Sequence, residues 1–166
     1  MATIRSYRAS DAESVGRLIA DTYSEFNLAT TSAGERDRLL GPFKHARSAE
    51  QAHQAAIARV IRADMVLVAE ETGEIVGVLR GRKDRLQSLF VRGDYHRRGI
   101  GRNLVACFER ACREQGASEI RLAATLYAVP FYQALGYKKT TGVRSGWSFE
   151  GRLQWQPMKK VLVRDL

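Results

Sequence analysis

Three arginines, a histidine and two glycines crowd into seven consecutive positions, His96-Arg97-Arg98-Gly99-Ile100-Gly101-Arg102. Such a run can hold an anion. Glycine has no Cβ, so backbone N–H groups can close on an oxyanion. The N–H groups that open a helix lack internal partners and carry partial positive charge. Upstream, Leu86, Leu89, Phe90 and Val91 make an apolar, strand-forming run, broken by Gly93-Asp94-Tyr95; downstream a helical pattern begins. Strand, glycine loop and helix start together suit a phosphate cradle. Taken alone they suit a ligand-free tight turn equally well.

The other reactive side chains carry weaker signals. Cys107 and Cys112 are the only cysteines. They stand five apart in a predicted helix and point in different directions, so a disulfide is not expected and a reducing cytoplasm fits. Both fall on the interior pattern, which favours core packing over a thiol nucleophile. His45, His53 and His96 have no metal-ligand spacing, and no metal is expected. Glu25, Glu70, Glu71 and Asp84 are carboxylates that could take a proton, though each reads more simply as an exposed surface charge. Trp147 and Trp155 lie on the last predicted strands, as packing residues or as pocket walls.

The chain has 166 residues, 45% of them apolar, which suits one domain, 1–166, with a real core. No apolar run approaches the ~20 residues of a membrane span, and MATIRSYRASDAE has no apolar signal core; a cytoplasmic protein is expected. The net charge of +9 implies attraction to anions, from a polyphosphate to a nucleic acid. Arg80, Arg82, Lys83, Arg85, Arg92, Arg97, Arg98 and Arg102 gather in sequence around the glycine loop, against Asp84 and Asp94.

These groups need a scaffold. Thr3 to Arg8 alternates like a strand. Ser10 as N-cap with Glu13 three later reads as a capping box opening a helix striped by Val15, Leu18, Ile19, Thr22, Tyr23 and Phe26. Short helices follow at Ala33–Leu40, stopped by Gly41-Pro42, and from a Ser48 cap to about Arg62. Met65–Ala69 and Ile75–Arg80 form a hairpin, and the strand Arg85–Arg92 comes next. A helix from about Gly99 to Gln115 leads to Glu119–Ala123, so those two strands are expected to be parallel. A short helix near Ala128–Leu135 and two strands in the tail complete one α/β domain.

About thirty residues after the glycine loop comes LAATLYAVPFYQALGY, Leu122 to Tyr137. The two stretches together resemble the GNAT superfamily of acetyl-CoA-dependent N-acetyltransferases. Val91, His96, Gly99 and Gly101 match its first signature, with His96 where Gln or Arg is usual. Phe131, Tyr132, Gly136 and Tyr137 match its second. The order of elements agrees from residue 3 to about 164. The resemblance implies a single GNAT-like domain with a mixed, mostly antiparallel sheet of about six to seven strands, a splayed central parallel pair and helices on both faces. It implies acetyl-CoA as the acetyl donor, held at Leu89, Phe90, Val91, His96, Arg97, Arg98, Gly99, Ile100, Gly101, Arg102, Asn103 and Thr125. Thr125 stands where many members carry Asn, and Arg85 where some carry a catalytic glutamate.

The implied reaction is direct transfer of the acetyl group to a primary amine in a ternary complex. A free N–H near Phe90 or Val91 meets the thioester oxygen, and Tyr132 protonates the leaving thiolate. Phe131 suits packing against the sheet. The acceptor, a small molecule or a peptide or protein amine, is shaped by Phe26 to Phe43 and the final hairpin. A catalytically silent CoA-binding module and an RNA-associated acetyltransferase are the alternatives. The basic residues lack the aromatic interleaving of RNA surfaces. Pairing through the last strands suits a homodimer.

Overall fold

The chain forms eight strands, most of them built on apolar alternation and β-branched residues: β1 (Thr3–Ser6), β2 (Met65–Glu71), β3 (Glu74–Arg82), β4 (Arg85–Val91), β5 (Glu119–Thr125), β6 (Lys138–Lys139), β7 (Arg144–Ser148) and β8 (Gly151–Val161). The computed structural model describes residues 1–163, so the final three residues of the expected 1–166 domain lie outside the described residues. The strands form one sheet in the order β1-β2-β3-β4-β5-β8-β6, with β7 also on β8. All pairs are antiparallel except β4–β5. The strand count exceeds expectation because the glycine-punctuated tail yields three strands in place of two.

Five helices cover the two faces: α1 (Ala12–Thr22), α2 (Ala33–Leu40), α3 (Gln51–Ile61), α4 (Ile100–Glu114) and α5 (Val129–Ala134). One core joins Leu104, Val105, Phe108 and Cys112 of α4 and Val129 and Tyr132 of α5 to Leu79, Leu86, Ile120, Leu122 and Met158 of the sheet. The other joins Val15, Leu18 and Ile19 of α1, Leu39 of α2 and Ile57 and Ile61 of α3 to Val68 and Val78. Phe43 is buried in that second core.

Two helix starts differ from the expected caps. Ser10 lies inside a 3-10 turn, Ala9–Asp11, and the capping carboxylate is Asp11. It accepts the Arg8 N–H at 2.7 Å and both Arg5 Nη groups at 2.8 and 3.0 Å. A charged acceptor with an arginine partner outcompetes a serine hydroxyl. For α3 the N-cap is Glu50, and Ser48 Oγ accepts the Glu50 N–H at 3.1 Å.

The parallel pair matters most. β4 and β5 are in register only at Arg85–Arg121 and Leu86–Leu122. Arg80 opposes Ser88 and Gly81 opposes Leu86, so Gln87 is the extra residue of a β-bulge. Past the bulge β4 leaves β5, which stays with β8 along Glu119–Thr125. The two strands therefore splay into a slot at their C-terminal ends.

Candidate active site

The slot opens into a cavity of about 770 Å³. Its β4 wall is Leu89, Phe90 and Val91. Arg92 N–H donates to Val76 O of β3 at 2.9 Å. Amide directions alternate along a strand, so Phe90 also turns its N–H to β3, opposite Val78. Leu89 then presents its N–H and C=O to the slot, and Val91 its N–H, while His96 Nε2 meets the Val91 carbonyl at 2.6 Å. The expected donor near Phe90 or Val91 thus falls to Val91 or Leu89; Phe90 contributes its side chain, edge-on to Tyr23 at 5.7 Å between ring centres.

The cavity floor is the start of α4. Gly99 has φ +80°, and a Cβ there would meet nothing within 4 Å, so the backbone is open to an approaching group. Arg97 also has positive φ, +61°. Asn103 N–H donates to Gly99 O at 2.9 Å, which makes it the first intrahelical bond. The preceding N–H groups of Ile100, Gly101 and Arg102 have no intrahelical partner and point where an anion would lie. Asn103, expected as a donor, is occupied by the helix. A Cβ on Gly101 would meet Phe131 at 3.2 Å, so that glycine permits close packing of α4 on α5. Arg97, Gly99, Ile100, Gly101 and Arg102 all line the cavity.

Several expected residues lie elsewhere. Arg98 stacks over Tyr95 at 4.6 Å and pairs with Glu71 at 3.4 Å, outside the cavity lining. Thr125 Oγ1 accepts from Asn27 Nδ2 at 2.6 Å, so its hydroxyl is engaged by the protein. The basic cluster read from the sequence disperses: Arg80 donates to Ile61 O at 2.9 Å and Val60 O at 2.6 Å, closing the C-terminus of α3. Arg82 and Arg85 flank the β3–β4 turn at the far end of β4. Arg92 is held by Asp94 at 2.7 Å and Glu74 at 3.0 Å. Arg97 and Arg102 are the arginines that line the cavity.

Tyr132 of α5 lines the cavity while only 5% exposed, and burial pushes its phenol well above the ordinary range. Its ring is fixed edge-on by Phe131 at 5.1 Å and Tyr137 at 5.7 Å. Phe131, expected to be the packing residue, is the more open of the pair and also lines the cavity. Tyr137 is buried and donates to Glu109 Oε1 at 3.3 Å, which Lys160 Nζ meets at 3.0 Å.

Two features carry no local sequence signal. α1 continues into a π-helical turn, Tyr23–Asn27, which carries Phe26 across the slot. Phe26 stacks between His96, 4.5 Å away on the β4 side, and Tyr127, 5.7 Å away on the β5 side. A Cβ on Gly93 would strike Phe26 at 2.8 Å, so that glycine admits the ring. The His96 side chain meets Val91 O through Nε2 at 2.6 Å.

Of the carboxylates considered as proton acceptors, none lines this cavity. Glu70 is paired with Arg5 at 2.7 Å, Glu71 with the Met1 amine at 3.2 Å, and Asp84 sits near Arg82 at 3.8 Å. Glu25, on the π turn, reaches with Oε1 to 3.3 Å from where a Cβ on Gly93 would stand, beside Phe26 and outside the lining. Neither cysteine lines it: Cys112 is buried, its thiol pushed up to about 12 chiefly by burial, and Cys107 is half-buried beside Arg110. Trp147 is exposed with Arg152 over its ring at 5.5 Å, and Trp155 packs over Gly146, where a Cβ would meet its ring at 2.7 Å. Among the described residues no group of three or more His, Cys, Asp or Glu gathers as a metal site, and no helix is long and apolar enough to cross a membrane.

Comparison with known proteins matches residues 21–162 to the family model described as an acetyltransferase (GNAT) domain. A stretch of 86 residues is 35% identical to N-acetyltransferase 8 of Homo sapiens, covering 44% of this chain and 38% of that protein. A GCN5-related N-acetyltransferase structure from Rhodopseudomonas palustris superposes with a TM-score of 0.80 at 21% identity, over 98% of this chain and 96% of that one. The PaiA N-acetyltransferase of Thermoplasma acidophilum, solved with coenzyme A, gives 0.73 at 16% identity, over 98% and 99%. YncA of Salmonella typhimurium, solved with acetyl-CoA, gives 0.61 at 18%, over 100% and 96%. At these identities the superpositions speak for the fold.

Proposed function

Because the chain belongs to the GNAT acetyltransferase family, we propose that it moves an acetyl group from acetyl-CoA to a primary amine by direct attack within a ternary complex. One observation carries this reading: the slot left by the β4–β5 splay and the open N-terminus of α4 share a single cavity. The residues fit the donor. The free N–H groups of Ile100, Gly101 and Arg102, with the Arg97 and Arg102 guanidiniums, suit a diphosphate. The slot-facing amides of Leu89 and Val91 suit the amide-rich pantetheine arm as strand-edge partners. Bound there, acetyl-CoA supplies the activated thioester.

Each chain residue then has a task. The slot-facing N–H of Val91 or Leu89 donates to the thioester oxygen, a bond that strengthens as negative charge develops there. Tyr132 stands in the same cavity and protonates the departing sulfur; its raised phenol keeps that proton available across the neutral range. The absence of both thiols from the lining supports transfer without an acetyl-cysteine stage.

The test is thiol release from acetyl-CoA against a panel of amines, comprising alkylamines, amino-acid amides, polyamines, aminoglycosides and peptides, alongside calorimetry with CoA. Binding with release, and intersecting rather than parallel double-reciprocal plots, is the expected outcome. Binding without release from any amine would leave a silent CoA module, and no binding at modest salt would remove the reading altogether.

A further inference from the structure

We infer that His96 accepts the proton of the attacking amine. This rests on the acetyl-transfer reading and adds to it the group that the carboxylates do not provide. An amine must shed a proton as it becomes an amide, and the amine of a lysine-like acceptor is ordinarily protonated up to pH ~10. Among the described residues lining the cavity, the titratable side chains are Tyr95, His96, Arg97, Arg102, Tyr127 and Tyr132. Arginines and phenols are poor proton acceptors near neutral pH; an imidazole is a good one.

Three features of the geometry prepare His96 for the task. First, Nε2 meets Val91 O at 2.6 Å. A carbonyl only accepts, so Nε2 carries the hydrogen and Nδ1 is left with a free lone pair. Second, the ring is clamped by Phe26 at 4.5 Å, which fixes the direction of that lone pair. Third, the imidazole lines the same cavity as Leu89, Val91 and Tyr132, and it is tied to the segment of β4 that has left β5.

The ring is also on the correct side. The phosphate cradle belongs to α4, whose core lies on one face of the sheet. Phe26 extends from α1, which covers the opposite face, and Phe90 packs with that core. An amine meeting a thioester lodged between the strands approaches from the face not occupied by the donor. Thr22, Phe26 and Asn27 line the cavity there, with His96 against them. The charged or titratable groups near the imidazole are Glu25 from the π turn, Asp94, Tyr95 and Arg97 from its own loop, Arg102 from α4 and Tyr127 beyond Phe26.

The step balances. The amine nitrogen bonds to the thioester carbonyl carbon and gives a proton to Nδ1. The C–S bond breaks, and its electron pair leaves with sulfur, which takes the Tyr132 proton. The imidazolium then loses a proton to water and the phenolate regains one. Amine and acetyl-CoA become amide and free thiol, with no net change in the enzyme.

The experiment compares the wild type with H96Q, whose amide can still donate to Val91 O, using n-butylamine and the weakly basic trifluoroethylamine. Acetyl-CoA affinity by calorimetry is expected to stay within about threefold. The kcat/KM for n-butylamine falls about 10²-fold or more, as for loss of a general base. The loss is smaller for trifluoroethylamine, which arrives neutral. H96Q turnover within threefold of wild type overturns the assignment. So does an equal loss for both amines, or a loss of acetyl-CoA affinity in step with the rate. A wild type that binds acetyl-CoA and acetylates neither amine, nor any in the wider panel, removes the acetyl-transfer reading instead.

Discussion

Tyr132 and His96, the two residues proposed to move protons, have opposite surroundings. Tyr132 is 5% exposed, and burial raises its phenol, so it carries its proton across the neutral range. His96 keeps a free ring nitrogen because its other nitrogen is tied to a carbonyl. The consequence at this scale is a separation of effects. Tyr132→Phe removes one oxygen from a packed ring, so kcat drops by ~10²-fold while calorimetry with acetyl-CoA shows little change. Full turnover in that variant would take Tyr132 out of the chemistry. The match of Tyr132 to a family signature was visible in the sequence; the role open to His96 was not, because it depends on a carbonyl five residues back and a ring seventy residues upstream.

At the level of elements, β4 leaves β5 where the bulge at Gln87 falls, and Gly81 on the facing strand packs against α4. A Cβ on Gly81 would strike the Phe108 ring at 2.6 Å and Arg85 O at 2.7 Å. One of these is backbone and cannot move aside cheaply. Gly81→Ala is therefore expected to cost about 1–3 kcal/mol of stability by overpacking, read as a lower urea midpoint at unchanged slope. The first turn offers a second case. The Arg5 guanidinium, acting chiefly by hydrogen bond, holds the Asp11 carboxyl below the usual carboxylate range against the opposing effect of burial. A depressed folded value means the carboxylate stabilises the fold fully above its unfolded value of ~4, and that contribution fades as pH falls through the folded one. Asp11→Asn should lose about 1.5–3 kcal/mol at neutral pH, with the gap to wild type closing in urea titrations under acid. A gap that stays constant with pH would rule out the ion pair as its source.

For the whole molecule, the charge of +9 is a poor guide to the site. Arg82, Lys83 and Arg85 stand close to the glycine loop in sequence, but a seven-residue strand separates them from it, roughly 20 Å at 3.3 Å per residue. Others are neutralised by Glu71, Glu74 and Asp94. Arg97→Gln or Arg102→Gln should each weaken CoA binding by about tenfold, as loss of a charged hydrogen bond implies. The double change Arg82→Gln, Lys83→Gln removes as much net charge as those two together and should leave affinity within about twofold at moderate salt, where charges 20 Å apart are screened. Equal losses would mean that overall charge, and not the cradle, draws the ligand. The sheet itself is similarly economical with its edges: β8 pairs with β5 on one side and with β6 and β7 on the other.

Local chemistry was enough, in the sequence, for the elements and for the two signature stretches. Apolar periodicity marked nearly every strand and helix, and Gly99 and Gly101 announced a helix start able to take an anion, because these properties depend on neighbours within a few residues. Tertiary structure decided what distant segments do to each other. It placed Gln87 in a bulge where β4 leaves β5, turned Leu89 and Val91 and not Phe90 toward the gap, withdrew Arg98, Asn103 and Thr125 into contacts of their own, and brought Phe26 from α1 against His96. Strand register, side-chain competition for partners and packing between remote helices are set only when the chain closes on itself. A one-dimensional pattern therefore reports which groups exist, and the fold reports which of them are free.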